Sequence, residues 1–190
     1  MTKVVPLKAK RCPLRLMPSP GNLDKFWRFV WLLVQVTLYR WSPVQMHGWR
    51  RILLRWFGAR IDEGVHPYPT VRIWAPWNLE MGAGSCLGPD VICYSVGRIK
   101  LGAGATVSQG GYLCAATHDC HASAFPLIVG DIEIGCDAWV ATEAFIGPGL
   151  AIGDRAVVGA RAVVVKDVSA GTVVAGNPAR VVGLRRMNAS

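Results

Sequence analysis

The sequence predicts a mainly β protein, a single-stranded parallel β-helix preceded by two amphipathic helices. Two patterns carry that expectation. Ile134, Val140, Ile146, Ile152, Val158 and Val164 recur six residues apart, a spacing produced neither by the 3.6-residue helix nor by the two-residue alternation of a simple strand. The N-terminal third instead places its apolar residues at helical spacing and holds most of the basic charge. Of 190 residues, 52% are hydrophobic and 17% charged, a balance that excludes a disordered chain. With 21 glycines the chain is far from a collagen. Its length suits one domain.

Residues 1–21 are basic and contain Pro13, Pro18 and Pro20, which predicts a flexible lead-in. A signal peptide is not expected, because the apolar segment starts well downstream and no small-residue cleavage site follows it. Residues 22–60 predict two helices rich in Trp and Arg. Asn22 suits an N-cap, and Asp24 favours the helix N-terminus. The helical pattern runs from Phe26 to Trp41 and stops at Ser42-Pro43. Eleven uncharged residues separate Arg28 from Arg40, too few for a transmembrane span of ~20. A second helix is expected over 46–57, with Trp49, Ile52, Leu53, Trp56 and Phe57 on one face. Arg50, Arg51 and Arg55 rim that stripe, and Gly58 ends the helix.

Residues 1–60 hold 12 of the 21 Lys/Arg against one acid, Asp24. No zinc-finger, RNP or basic-zipper pattern accompanies them, so nucleic acid is not an expected partner. The Trp/Arg face of residues 22–60 suits either packing on the rest of the chain or contact with an anionic membrane surface.

Residues 61–172 carry the repeat. The aliphatic residues of the sixes are followed by small ones at Gly135, Ala141, Gly147, Gly153 and Gly159. Two positions before each aliphatic stand Ile132, Ala138, Ala144, Leu150, Ala156 and Ala162. The same register occurs at Met81, Leu87 and Cys93, then resumes after a two-residue slip at Leu101, Val107 and Leu113. Each six reads as a short strand and a turn, three closing a triangular coil with the aliphatic inside and the small residue easing the corner. Stacked coils then align equivalent positions at the ~4.8 Å strand spacing. Residues 114–131 interrupt the array with a polar loop that holds two of the four histidines. A loop on a rigid scaffold is the natural seat of chemistry. Residues 173–190 are expected to form a C-terminal strand and tail. The six cysteines form no CxxC pair, and most sit in apolar or Gly-rich contexts that fit small hydrophobic residues in a reducing, cytoplasmic setting.

The hexad array, the loop motifs Thr117-His118-Asp119 and Phe125-Pro126, and the ending Ala175-Gly176-Asn177-Pro178-Ala179-Arg180 resemble the hexapeptide-repeat acyltransferases. The resemblance extends over about residues 22–186, including the stretch from Arg72 to Leu79. It is strongest to the sugar O-acetyltransferases of colanic acid and other exopolysaccharide pathways. It implies a left-handed β-helix, although general rules favour right-handed crossovers. It also implies a homotrimer, with acetyl-CoA in a groove between subunits and no metal. His118 matches the family's catalytic histidine, a general base worth ~10²–10⁴-fold. Thr142 and Ala160 match positions along the pantetheine arm, with Trp139 on the same groove. Val165 and Lys166 match the adenine end, and Arg180 the nucleotide phosphates.

Asn78, Tyr94 and Tyr112 are candidates for hydrogen-bonding a sugar. The chain departs from some relatives in having no Glu in residues 118–130; Asp119 is the nearest carboxylate, and a backbone carbonyl could orient the imidazole instead. His121 is expected on the loop surface, and His47 and His66 in structural roles. The expected acceptor is a sugar or a lipid-linked glycan, met in the cytoplasm or at the inner face of the plasma membrane. Alternatives are an N-acetyltransferase of an amino sugar or antibiotic, and a non-catalytic, membrane-associated β-helix scaffold. A γ-type carbonic anhydrase would need three histidines converging on zinc, and no third histidine lies in the coils beyond His118 and His121.

Overall fold

The computed structural model describes residues 13–17 and 21–186. From Arg60 onward the chain winds through about six coils whose strands stack into three parallel sheets. On the first face Ile61, Met81, Leu101, Ile134 and Ile152 stand in register, with Val168 bridged beyond them. The second face aligns Pro67, Leu87, Val107, Val140, Val158 and Val174. The third aligns Ile73, Cys93, Leu113, Ile146 and Val164. All six aliphatics of the main hexad run are at most 2% exposed. They fill the prism's axis, which is why the sixes are aliphatic.

The small residues after them act differently from the corner-easing role expected of them. A Cβ on Gly102 would lie 2.6 Å from the Cys136 nitrogen of the following coil, and one on Gly135 would lie 2.5 Å from that of Asp154. Their constraint is the close approach of the next coil. The bend falls two residues later, where Gly84, Asp90, Gly104, Gly110, Asp137, Glu143, Arg155 and Arg161 have positive φ. At most of these positions the N–H points back to a carbonyl of the preceding coil, as in Gly104 to Ala83 and Arg155 to Cys136.

The extra residues sit at one corner, between the third and first faces. They form the single-turn helix Pro76–Asn78, the step from Cys93 to Leu101 that produces the slip, and the excursion between Leu113 and Ile134.

Along the strands, N–H groups donate to carbonyls of the following coil, as in Cys86 to Ala105 and Gly102 to Ile134. The first coil therefore presents carbonyls with no coil beneath them, an edge that must be covered. The N-terminal helices supply the donors. Helix α1 (Asn22–Val34) continues into a π-helical turn, Gln35–Tyr39. The Trp31 indole donates to the Ile73 carbonyl at 2.7 Å, while Gln35 both donates to that carbonyl and accepts from the Ile73 N–H. From α2 (His47–Trp56), Arg50 donates to Pro67, Arg51 to Val65 and Arg55 to Ile61, all at carbonyls.

This corrects the expected face of α2. Arg50, read as a rim residue, is fully buried with Leu53 and Leu54, whereas Ile52 and Trp56 are 43% and 74% exposed. The α1 cap is Gly21, and Asn22 is already helical. The lead-in is not wholly irregular: Arg15–Leu16 is a strand, while residues 1–12 and 18–20 lie outside the described residues. At the other end, Thr172–Ala175 and Arg180–Leu184 pair antiparallel and close the second face. Among the described residues no helix is long and apolar enough to cross a membrane.

Candidate active site

The break at 114–131 is a hairpin. Ala116–His118 pairs antiparallel with Leu127–Val129, and Arg15–Leu16 adds a third strand. Its base is tied down by Asp131, whose carboxylate accepts from the Arg98 N–H and from the Arg15 guanidinium, both at 2.9 Å. Burial raises the Asp131 pKa, but these hydrogen bonds and charges outweigh it and hold the carboxyl below the usual range.

His118 ends the first hairpin strand and is exposed. Its ring stacks on Phe125, with centroids 4.5 Å apart and planes 7° from parallel. The Nδ1–H donates to the Phe125 carbonyl at 2.8 Å. That bond places the proton on Nδ1 and leaves Nε2 as a free acceptor, the tautomer a general base needs. Phe125 holds the carbonyl there with φ of 45°. Asp119 instead accepts from the His121 N–H at 3.0 Å, closing its own turn. Phe125 was missed from the sequence because a backbone carbonyl leaves no side-chain signature.

The other expected site residues divide into groups. Val165 shares a cavity of about 280 Å³ with Cys114 and Thr117, next to His118. Lys166 and Arg180 line another of about 260 Å³ at the end of the last coil, together with Asp167, Val168 and Val174. Trp139 lies on the second face, its indole donating to Ser108 Oγ at 2.9 Å. It borders a cavity of about 300 Å³ shared with Arg185. Thr142 and Ala160 stack at the corner between the second and third faces, where the Arg161 N–H donates to the Thr142 carbonyl. One chain thus leaves Trp139, Thr142 and Ala160 apart from the His118 corner, with the third face between. Arg185 was also missed, because a C-terminal arginine is indistinguishable from a solvated charge until the chain folds back. Its Nη1 donates to the Asp137 carbonyl.

Asn78 uses both amide protons on the Ser95 and Val96 carbonyls at 3.0 Å, so it holds a corner together. Tyr94 packs edge-on to Trp74, and Tyr112 edge-on to Phe145. Burial, with Cys114 and Tyr94 beside it, pushes the Tyr112 phenol up to about 12. It is therefore a neutral hydroxyl near pH 7. His47 packs against His66 and Tyr68 under α2, consistent with structural roles.

No family model matches the chain. The chain is 43% identical over 153 residues to the colanic acid biosynthesis acetyltransferase WcaF of Escherichia coli K12, covering 80% of this chain and 84% of that protein. Among solved structures, a galactoside acetyltransferase in complex with coenzyme A superposes with a TM-score of 0.81 at 20% identity, covering 90% of this chain and 87% of the other. The hexapeptide-repeat acetyltransferase VCA0836 of Vibrio cholerae, complexed with acetyl coenzyme A, gives 0.76 at 20% identity over 90% and 93%.

Proposed function

Since the chain belongs to the hexapeptide-repeat acetyltransferases, together with WcaF, we propose that it transfers acetyl from acetyl-CoA to a sugar hydroxyl with His118 as general base. The observation that carries the base assignment is the Nδ1–H bond to Phe125, which leaves Nε2 open. As the acceptor oxygen bonds to the thioester carbonyl carbon, its proton passes to Nε2. The C–S bond then breaks, and the imidazolium returns the proton to the departing thiolate. Tyr94 and Tyr112 would hydrogen-bond the sugar, whereas both amide protons of Asn78 are already engaged.

The coenzyme-binding assignments follow the same reading. Lys166 and Arg180 are exposed cations sharing one cavity, suited to a phosphorylated nucleotide. Trp139, Thr142, Ala160 and Val165 would line the pantetheine path. Because the first three stand away from His118, a complete groove calls for a neighbouring subunit, which supports a homotrimer. The acceptor is a sugar or lipid-linked glycan of exopolysaccharide or cell-surface glycan synthesis, met at the cytoplasmic side of the membrane. The exposed apolar side chains of α1 and the basic excess of residues 1–60 support contact with an anionic surface.

The test is release of coenzyme A thiol from acetyl-CoA in the presence of sugar acceptors. His118→Ala is expected to lower kcat by ~10²–10⁴-fold with the melting temperature unchanged. Wild-type turnover in that variant would remove His118 from the mechanism. Turnover with amine acceptors alone would redirect the reading to N-acetylation.

A further inference from the structure

We propose that the cavity between α1 and the third face binds the lipid-phosphate anchor of a lipid-linked acceptor; this deepens the acetyltransferase reading and rests on it. The cavity has a volume of about 470 Å³, within the ~300–1,000 Å³ of small-ligand sites. Phe29, Leu32 and Val36 form one wall, and Trp74 and Ile92 the other. Arg28, Arg40 and Arg72 also line it, and among the described lining residues there is no carboxylate. Arg28 is held by Asp24 at 2.7 Å and lies over the Trp74 ring. Arg40 and Arg72 are exposed and make no ion pair among the described residues. The inner polar groups, Trp31 and Gln35, are already bonded to Ile73. What remains unmatched is hydrocarbon in the interior and guanidinium around it. A phosphate carrying a long apolar chain answers both.

The placement favours the acceptor's own anchor over a bulk membrane lipid. Arg72, Ile92 and Tyr112 are register partners on the outward row of the third face, so Arg72 and Tyr112 lie two strand spacings, ~10 Å, apart. Tyr94 lines the cavity and pairs with Cys114, which with Thr117 lines the next cavity beside His118. A phosphate at Arg72 thus directs an attached sugar past Tyr94 and Tyr112 toward the imidazole. On the outer side, Phe26, Phe29 and Leu33 of α1 are about half exposed, an apolar approach for a chain leaving the bilayer.

The test is binding of farnesyl phosphate to the full chain without acetyl-CoA, read by calorimetry and tryptophan fluorescence. Saturable binding is expected, with farnesol at least ten-fold weaker and no competition from inorganic phosphate. Arg72→Gln and Arg40→Gln should each weaken it about ten-fold at unchanged melting temperature. Leu32→Trp, which fills the cavity and leaves the arginines in place, should do the same. Equally tight binding of dihexanoyl phosphatidic acid would assign the cavity to membrane phospholipid and overturn the anchor. Absence of saturable binding, or binding indifferent to all three substitutions, would overturn it as well. If the wild-type chain acetylates a free sugar yet fails to bind farnesyl phosphate, this inference alone falls. If it binds farnesyl phosphate yet transfers no acetyl group, the enzymatic reading falls, and with it the acceptor role of the anchor, while the lipid-phosphate site itself stands.

Discussion

Gly102 and Arg155 show how equivalent turns impose opposite demands on positions two residues apart. Gly102 has an ordinary φ but no room, because an added Cβ meets the backbone of Gly135 and Cys136 in the next coil. Arg155 has room but sits at φ of 56° so that its N–H can reach Cys136. Gly102→Ala should therefore cost about 1–3 kcal/mol by overpacking, while Gly183→Ala, with nothing within 4 Å of the new Cβ, should be close to neutral. Arg155→Gly should raise stability by about 0.5 kcal/mol, since the relief of a left-handed conformation exceeds the added chain entropy. Chemical denaturation of the three variants checks the ordering. A stability loss in Arg155→Gly comparable to that of Gly102→Ala would reject the left-handed account. The small residue after most of the aliphatics was legible as a requirement, but its cause was not. Spacing shows that a side chain is forbidden without showing what it would strike.

The two N-terminal helices and the histidine hairpin differ in how much of them the sequence betrayed. The helices were placed to within a few residues by period and capping, yet the role of their arginines was hidden. Arg50, Arg51 and Arg55 look like a charged rim because orphan carbonyls at the end of a β-helix have no sequence signature. The hairpin was legible only as an interruption, and the pairing of Arg15–Leu16 onto it joins segments more than a hundred residues apart. Asp131 is the point where that pairing can be tested. Its folded-state pKa is depressed, so its stabilisation is complete above the ordinary carboxyl value of ~3.9 and is lost as pH falls through the folded value. Asp131→Asn should cost about 1 kcal/mol at neutral pH. Its melting temperature should also decline less steeply than wild type below pH ~4. Parallel melting curves from pH 7 to 3 would show that the carboxylate does not anchor the hairpin.

Across the molecule, the arrangement of faces bears on assembly. His118, Val165 and Lys166 gather at the corner between the third and first faces, while Thr142 and Ala160 occupy the corner between the second and third. Stacked coils are stiff along their axis, so no hinge inside one chain closes that separation. A cyclic assembly does so if each subunit presents its second corner to its neighbour's hairpin, a head-to-tail contact that closes as a ring. Two inactive variants should then rescue each other. Ala160→Trp blocks one half of the groove and His118→Ala removes the base from the other half. In trimers assembled at random from equal amounts, about a quarter of the sites draw their histidine from the first variant and their open corner from the second. Co-expressed variants should therefore recover about a quarter of wild-type turnover, whereas a simple mixture of preassembled trimers recovers it only as fast as subunits exchange. Sites contained within one chain would give no recovery under either condition, and the proposed groove would then have to be rebuilt from the His118 corner alone.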